Sequence, residues 1–256
     1  MMLFQNLMLP LQPKMSFLIK MKKNLLLAAM MVASLSASAQ FEPGRFSLQP
    51  KIGFNVAFLS NTESTNVVLD NHTYELEKCP NVGSVVGLEL EYQAVKWLGI
   101  AAGLTYGKQG VAWESYKVKA NGVKMESFDN EIDLGYINLP IVANFYVAKG
   151  LALKTGVQFG FLTDAHTRNS IRTSYTVNDR KRIDLNETSL NVRKDFNKFD
   201  VAIPVGISYE FKRHFTIDAR YNLGLLKVNK EDDPTGDSRN GVFQMTFGWK
   251  CLCGKK

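Results

Sequence analysis

The strongest constraint in this chain is a period of two. It runs through three consecutive segments between Phe199 and Trp249. In the first, Phe199, Val201, Ile203, Val205, Ile207, Tyr209 and Phe211 alternate with Asp200, Ala202, Pro204, Gly206, Ser208 and Glu210. In the second, Phe215, Ile217, Ala219, Tyr221 and Leu223 alternate with Thr216, Asp218, Arg220 and Asn222. In the third, Phe243, Met245, Phe247 and Trp249 alternate with Gln244, Thr246 and Gly248. Side chains of a β-strand point to opposite faces in turn, so each segment has one apolar face and one polar or small face. The connections are unequal. Lys212-Arg213-His214 is short, whereas Lys227–Asn240 is long and polar. Barrels that cross an outer membrane alternate short periplasmic turns with long exterior loops in this way.

Five earlier segments carry the same code: Phe46–Phe58, Val82–Val95, Leu98–Trp113, Ile132–Val147 and Leu151–Leu162. In the first, Phe46, Leu48, Ile52, Phe54 and Phe58 share a face opposite Ser47, Gln49, Lys51, Asn55 and Ala57. In the Ile132–Val147 segment both sets contain apolar residues, with Ile137, Leu139, Ile141 and Phe145 assigned outward. Tight connections fall at Val95-Lys96-Trp97 and Ala148-Lys149-Gly150. Long loops are expected at Ser60–Asn81, Glu114–Asn130 and Thr163–Lys198, with Asn121-Gly122 turning a small hairpin in the second. The fold class is therefore all-β: an eight-stranded antiparallel up-and-down transmembrane β-barrel, its strands near the roughly 9–11 residues needed to span.

A soluble barrel would hide its apolar set and show its polar set to water. Here the polar set includes Glu89, Glu91, Lys154, Asp218 and Arg220, which would be costly in the apolar calyx of a secreted ligand-binding barrel. In a membrane barrel the same residues face a lumen and can pair. The glycines Gly99, Gly103 and Gly107 mark a closely approached wall. Aromatics near strand ends, including Phe145, Phe211, Phe215, Trp249 and Trp97, read as interfacial belts. Eight strands leave room only for side chains or one small ligand, which argues against a diffusion pore.

The formal charge is +7, but Lys14, Lys20, Lys22 and Lys23 all precede residue 40, where there is no Asp or Glu. The remaining balance gives little support to nucleic-acid binding. Met21-Lys22-Lys23-Asn24, the apolar run Leu25–Leu35 and Ala37-Ser38-Ala39 read as a secretory signal peptide. Cleavage is expected after Ala39, with Met21 as the natural start, residues 1–20 as an upstream extension, and 40–256 as one barrel domain. Three cysteines, Cys79, Cys251 and Cys253, suit neither a disulfide framework nor a zinc site.

Several stretches carry a resemblance. They are Gly103-Leu104-Thr105-Tyr106-Gly107-Lys108-Gln109-Gly110, Tyr136-Ile137-Asn138-Leu139-Pro140, Asp218-Ala219-Arg220-Tyr221-Asn222-Leu223-Gly224 and Asn240-Gly241-Val242-Phe243-Gln244-Met245. They resemble the Bacteroidetes outer-membrane β-barrel family, whose members are called porin-family or PorT-like. The resemblance implies an eight-stranded barrel, insertion by the barrel assembly machinery and a diderm bacterial host. It says little about activity. The chain departs from the pattern after Trp249, continuing as Lys250-Cys251-Leu252-Cys253 rather than finishing on an aromatic.

Chemical candidates are few. Asp164, His166 and Ser170 are close in sequence but on a segment read as loop; His72 and His214 also fall in connections. No catalytic, metal or cofactor role is assigned. Glu89, Glu91, Lys154, Asp218 and Arg220 are expected to form an ion-pair network filling the lumen, and Arg180-Lys181-Arg182 a basic patch for lipopolysaccharide phosphates or acidic glycans. The leading function is a non-enzymatic outer-membrane protein, structural or presenting its long loops to a surface ligand, glycan or envelope protein. A small gated channel, a secretion-apparatus barrel and a lipid-modifying enzyme are the alternatives.

Overall fold

The computed structural model describes residues 43–60, 65–69, 72–120, 123–177, 180–212, 214–230 and 237–253. The signal peptide and the Asn121-Gly122 turn lie outside the described residues. The strands are β1 (Phe46–Leu59), β2 (Thr65–Leu69), β3 (His72–Leu76), β4 (Lys78–Val95), β5 (Leu98–Trp113), β6 (Tyr116–Ala120), β7 (Val123–Ala148), β8 (Leu151–Val177), β9 (Arg180–Asn191), β10 (Phe199–Phe211), β11 (Phe215–Gly224), β12 (Asn240–Trp249) and β13 (Cys251–Cys253).

Eight of these are staves of a closed ring. Each of β1, β4, β5, β7, β8, β10, β11 and β12 pairs antiparallel with two ring neighbours, and β7–β8 and β1–β12 complete the circuit. Closure follows from the alternation: every stave offers one apolar face, and a ring leaves no unpaired edge in the bilayer. The outward face of β1 is exposed at Phe46, Leu48, Ile52, Phe54 and Phe58, while Ser47, Gln49, Lys51, Asn55 and Ala57 are buried inside. On β7, Ile137, Leu139, Ile141 and Phe145 point outward, and Asn138, Val142 and Asn144 are buried. β12 begins at Asn240, giving the last stave 10 residues.

The short turns gather aromatic rings. Trp97 stacks on Phe145 with centroids 6.3 Å apart, and Phe215 meets Phe211 at 5.5 Å and Trp249 at 5.2 Å. After Trp249 the chain stays in the sheet, because β13 pairs with Phe46–Leu48 of β1.

The opposite end corrects the sequence reading. The segment read as the loop Ser60–Asn81 contains the β2–β3 hairpin, and β4 starts at Lys78. The loop expected at Glu114–Asn130 is β6 and the first part of β7, and most of Thr163–Lys198 is the far half of β8 followed by β9. Together β6, β7, β8 and β9 form a four-stranded sheet that rises from the barrel rim. All 12 residues of β9 are exposed. Above the membrane both faces of a strand meet water, so the apolar code that marks a spanning strand is absent. Register shifts at Phe128/Glu131 and Gly135/Tyr136 separate this sheet from the spanning part of the β7–β8 pair, as bulges at barrel rims do.

Candidate functional site

The inward faces of the staves close the lumen at three levels. The central level is ionic. Lys51 Nζ lies 2.7 Å from Glu89 Oε2 and 3.5 Å from Asp218 Oδ2. Lys154 Nζ sits between the same two carboxylates, 3.2 Å from Glu89 and 2.5 Å from Asp218. Arg220 donates Nε to Asp218 Oδ1 at 2.8 Å and Nη2 to Asp218 Oδ2 at 3.1 Å, with Glu89 Oε2 at 3.4 Å. Three cations thus enclose two carboxylates, all buried. β1, β4, β8 and β11 each supply a member, so the cluster ties distant parts of the ring together.

Glu91 does not join this group. Two residues along β4, it belongs to a second level nearer the short turns. Lys250 Nζ contacts Glu91 Oε2 at 2.7 Å and Glu210 Oε2 at 2.9 Å. Tyr146 donates its hydroxyl to Glu91 at 2.5 Å and accepts from Lys250 at 3.2 Å. Two carboxylates share one cation here. The cavity lined by both levels measures about 10 Å³, no more than a single water occupies.

The third level lies at the mouth nearer the extended sheet and is apolar. Leu59, Val111, Leu134, Tyr136, Leu162 and Ala165 turn inward and pack around Val228 from the connection after β11. Val228 is held from both sides: its carbonyl accepts from the Asn197 amide at 2.7 Å, and its own amide donates to Ser238 O at 2.8 Å. Asn197 Nδ2 adds bonds to Lys227 O at 2.9 Å and Asn229 O at 3.2 Å. Each fully buried aliphatic side chain in such a cork contributes about 1.5–3 kcal/mol of transfer free energy. Around the rim, Asp133 accepts from Asn81 at 3.0 Å and pairs with Arg168 at 2.9 Å. Arg168 also reaches Glu131 at 3.3 Å. Burial, reinforced by neighbouring Asp133, raises the Glu131 carboxyl above its ordinary range despite Arg168.

The structure thus brings together Glu89, Lys154, Asp218 and Arg220, and sets Glu91 apart. It adds Lys51, Glu210, Tyr146 and Lys250, which sequence reasoning left unassigned. Their signal was phase. Lys51 falls on the buried set of β1, Glu210 on that of β10, and Lys250 continues the even-numbered set Gln244, Thr246 and Gly248.

The basic triplet is divided. Along β9, Lys181 faces the same side as Thr176, whereas Arg180 and Arg182 face the other, with Arg182 opposite Tyr175. Asp164, His166 and Ser170 lie on a strand rather than a loop. His166 Nε2 is 2.7 Å from Asp164 Oδ1, but Ser170 is four residues further along β8, about 13 Å at strand rise. The three do not assemble a nucleophile and base. His214 Nδ1 donates to Lys250 O at 3.3 Å, at the short-turn end. The side chain of His72 lies outside the described residues. No helix among the described residues is long and apolar enough to cross a membrane; the strands do so.

A family model described as outer membrane protein beta-barrel domain matches residues 38–229. Among curated proteins none matches the chain. Among solved structures, the attachment invasion locus protein Ail of Yersinia pestis, in complex with the heparin analogue sucrose octasulfate, is similar at 12% identity. That match covers 82% of this chain and 100% of that one, with a TM-score of 0.40. Neisserial surface protein A is similar at 14% identity over 80% of this chain and 97% of that one, TM-score 0.39. The outer membrane protein OprG of Pseudomonas aeruginosa is similar at 12% identity over 83% and 98%, TM-score 0.31.

Proposed function

Because this chain belongs to the outer membrane protein beta-barrel domain family and resides in the bacterial outer membrane, we propose that its barrel is a sealed, non-enzymatic anchor that presents the β6–β9 sheet at the cell surface as a binding element. One observation carries the reading: the lumen is closed by two ionic levels with about 10 Å³ between them and by a packed apolar cork above. Such a barrel offers no aqueous path, and the parts of the protein free to meet a partner are those beyond the rim. The finer kinship with the Bacteroidetes porin-family or PorT-like group, suggested by Tyr136–Pro140 and Asp218–Gly224, belongs to the same proposal.

The test is single-channel recording on protein reconstituted in lipid, with a boiled-versus-unboiled gel shift to establish that it is folded. Folded protein is expected to give no discrete conductance. Reproducible openings would overturn the sealed-anchor reading and place transport first.

A further inference from the structure

The exposed sheet has two unlike faces, and one of them gathers cations. Pairing aligns Lys119 with Lys124 and Lys117 with Glu126 across β6–β7. It aligns Lys124 with Ser174 and Glu126 with Arg172 across β7–β8, then Thr176 with Lys181 across β8–β9. Since directly opposed residues share a face, Lys117, Lys119, Lys124, Arg172 and Lys181 all project from the same side. Glu126 is the carboxylate set among them, and it is already engaged, 2.8 Å from Lys117 and 3.7 Å from Arg172. Arg172 is fixed further by the Phe128 ring, its guanidinium 5.1 Å from the centroid.

Five cations against two carboxylates, Glu126 and, opposite Ser170 further along the same face, Glu187, leave a local excess of three. Lys119, Lys124 and Lys181 make no ion pair among the described residues. Like charges placed directly opposite each other destabilise a strand pair, so the Lys119–Lys124 juxtaposition carries a cost that Glu126, shared with Lys117 and Arg172, offsets only in part. An anion from outside would offset it. A cleft of about 350 Å³ opens here, bordered by Lys124, Arg172 and Lys181, by Glu126, Ser174 and Thr176, and by Ile183 and a single aromatic, Tyr175, within the size range of small-ligand sites.

We propose that this face binds a sulfated or phosphorylated polysaccharide, with Lys119, Lys124 and Lys181 meeting the anionic groups and Ser174 and Thr176 the sugar hydroxyls. The proposal rests on the surface-display reading above and names the ligand class of that same sheet. Two strand spacings of about 4.8 Å and a two-residue offset along β8 set Lys124 and Lys181 about 12 Å apart, which suits a chain bearing repeated charges rather than one small ion. The hydroxyls between the lysines favour a saccharide over a nucleic acid, whose bases call for a row of aromatic platforms.

The probe is fluorescent dextran sulfate, titrated against the folded full chain in detergent micelles over a range of salt, with uncharged dextran as control. A Lys119→Gln/Lys124→Gln/Lys181→Gln variant, checked for folding by gel shift, is expected to lose most of its affinity. Its slope of log affinity against log salt should flatten by about 2–3 as three contacts are lost. Arg180→Gln/Arg182→Gln, on the other face, should change affinity by no more than about threefold. Unchanged binding in the lysine variant, an equal loss in the arginine variant, or equal competition by single-stranded DNA would overturn the proposal. Competition by purified lipopolysaccharide at far lower charge concentration than dextran sulfate would support the phosphorylated form of the ligand and identify its source as a lipid-linked saccharide. Display is read separately, by labelling Ser189→Cys on intact cells with a membrane-impermeant maleimide in a background with Cys79, Cys251 and Cys253 changed to Ser. Failure to label would refute surface display and leave the binding result standing by itself.

Discussion

Replacing Asp218 by leucine is the sharpest test of the central ionic level, because its effect can be ordered against a neighbouring substitution. Asp218 receives Arg220 at 2.8 and 3.1 Å, Lys154 at 2.5 Å and Lys51 at 3.5 Å. Without it, Lys51, Lys154 and Arg220 face Glu89 alone, three buried cations against one carboxylate. Breaking a buried pair by removing one partner costs about 3–5 kcal/mol, and the doubled charge excess places Asp218→Leu at the upper end. Arg220→Leu differs. It deletes hydrogen bonds to charged groups, about 1.5–3 kcal/mol each where geometry is good, but leaves two lysines facing two carboxylates. With no charge left in excess, its cost should be the smaller, at the lower end of the range for a broken buried pair, about 3 kcal/mol.

The sign of a third variant follows from the same count. Lys51→Met added to Asp218→Leu restores a single excess cation, so the double variant should be more stable than Asp218→Leu by at least about 1 kcal/mol, a coupling of the size expected for residues in one network. The assay is urea unfolding in lipid vesicles, read by the gel shift and by tryptophan fluorescence in parallel. If Asp218→Leu costs no more than Arg220→Leu, or Lys51→Met makes it worse, charge balance does not govern this level and the reasoning fails.

Three further outcomes are expected. Ile52 lies midway along the outward face of β1 and is 65% exposed; Ile52→Arg should cost about 2–4 kcal/mol in bilayers, as arginine does at the midplane of such barrels. The same change at Val147, near a short turn, should cost about 0–1 kcal/mol in that assay. Lys250→Met leaves Glu91 and Glu210 without their shared cation and should lower the unfolding free energy by about 3–5 kcal/mol, with Glu91→Gln/Glu210→Gln in the same chain recovering part of it. At the rim, the folded state holds the Glu131 proton more tightly than the unfolded chain does. Its contribution is present in full below the ordinary glutamate range and is lost as pH rises through the raised folded value. Glu131→Gln should therefore slightly stabilise the barrel at neutral pH and have no such effect in acid, measured by unfolding at both pH values.

How much of this was legible before the structure depends on which solvent a segment meets. Lipid enforces alternation without exception, so β5 and β10 were bounded correctly at Leu98–Trp113 and Phe199–Phe211. β8 was cut short at Leu162 because beyond it, from Thr163 to Val177, neither face needs to be apolar. Val118, Ile171, Thr173 and Tyr175 are good strand formers, but a propensity signal without periodicity reads as loop. The apolar cork was hidden for a related reason. Pro140, Val142 and Tyr146 made the inward set of the β7 segment look greasy too, and on the same set nearer the mouth Leu134 and Tyr136 pack into the cork, so the ambiguous phase was lipid outside and packed interior inside. Lys250 escaped because it follows Trp249, where an aromatic was read as the natural last outward residue.

The two ionic levels make better sense as one unit than as two. The central one has three cations and two carboxylates, the lower one has one cation and two carboxylates. Taken together, Lys51, Lys154, Arg220 and Lys250 balance Glu89, Asp218, Glu91 and Glu210. A net charge held inside a low-dielectric wall is expensive, and splitting the set between opposite small excesses lets each level attract the other. Staves β1, β4, β8, β10 and β11 supply seven of the eight charges, Lys250 follows directly from β12, and β7 adds only the Tyr146 hydroxyl. β5 supplies none, and that is where the glycine series lies. A Cβ on Gly99 would meet the Glu91 carboxylate, and one on Gly107 would come within 2.7 Å of Asn55 Nδ2. The series therefore serves both plug and wall: Gly99 leaves room for the Glu91 carboxylate, while a Cβ on Gly103 would lie 3.1 Å from Leu88 O and Pro140 Cγ of the neighbouring staves, the close approach that the spacing suggests.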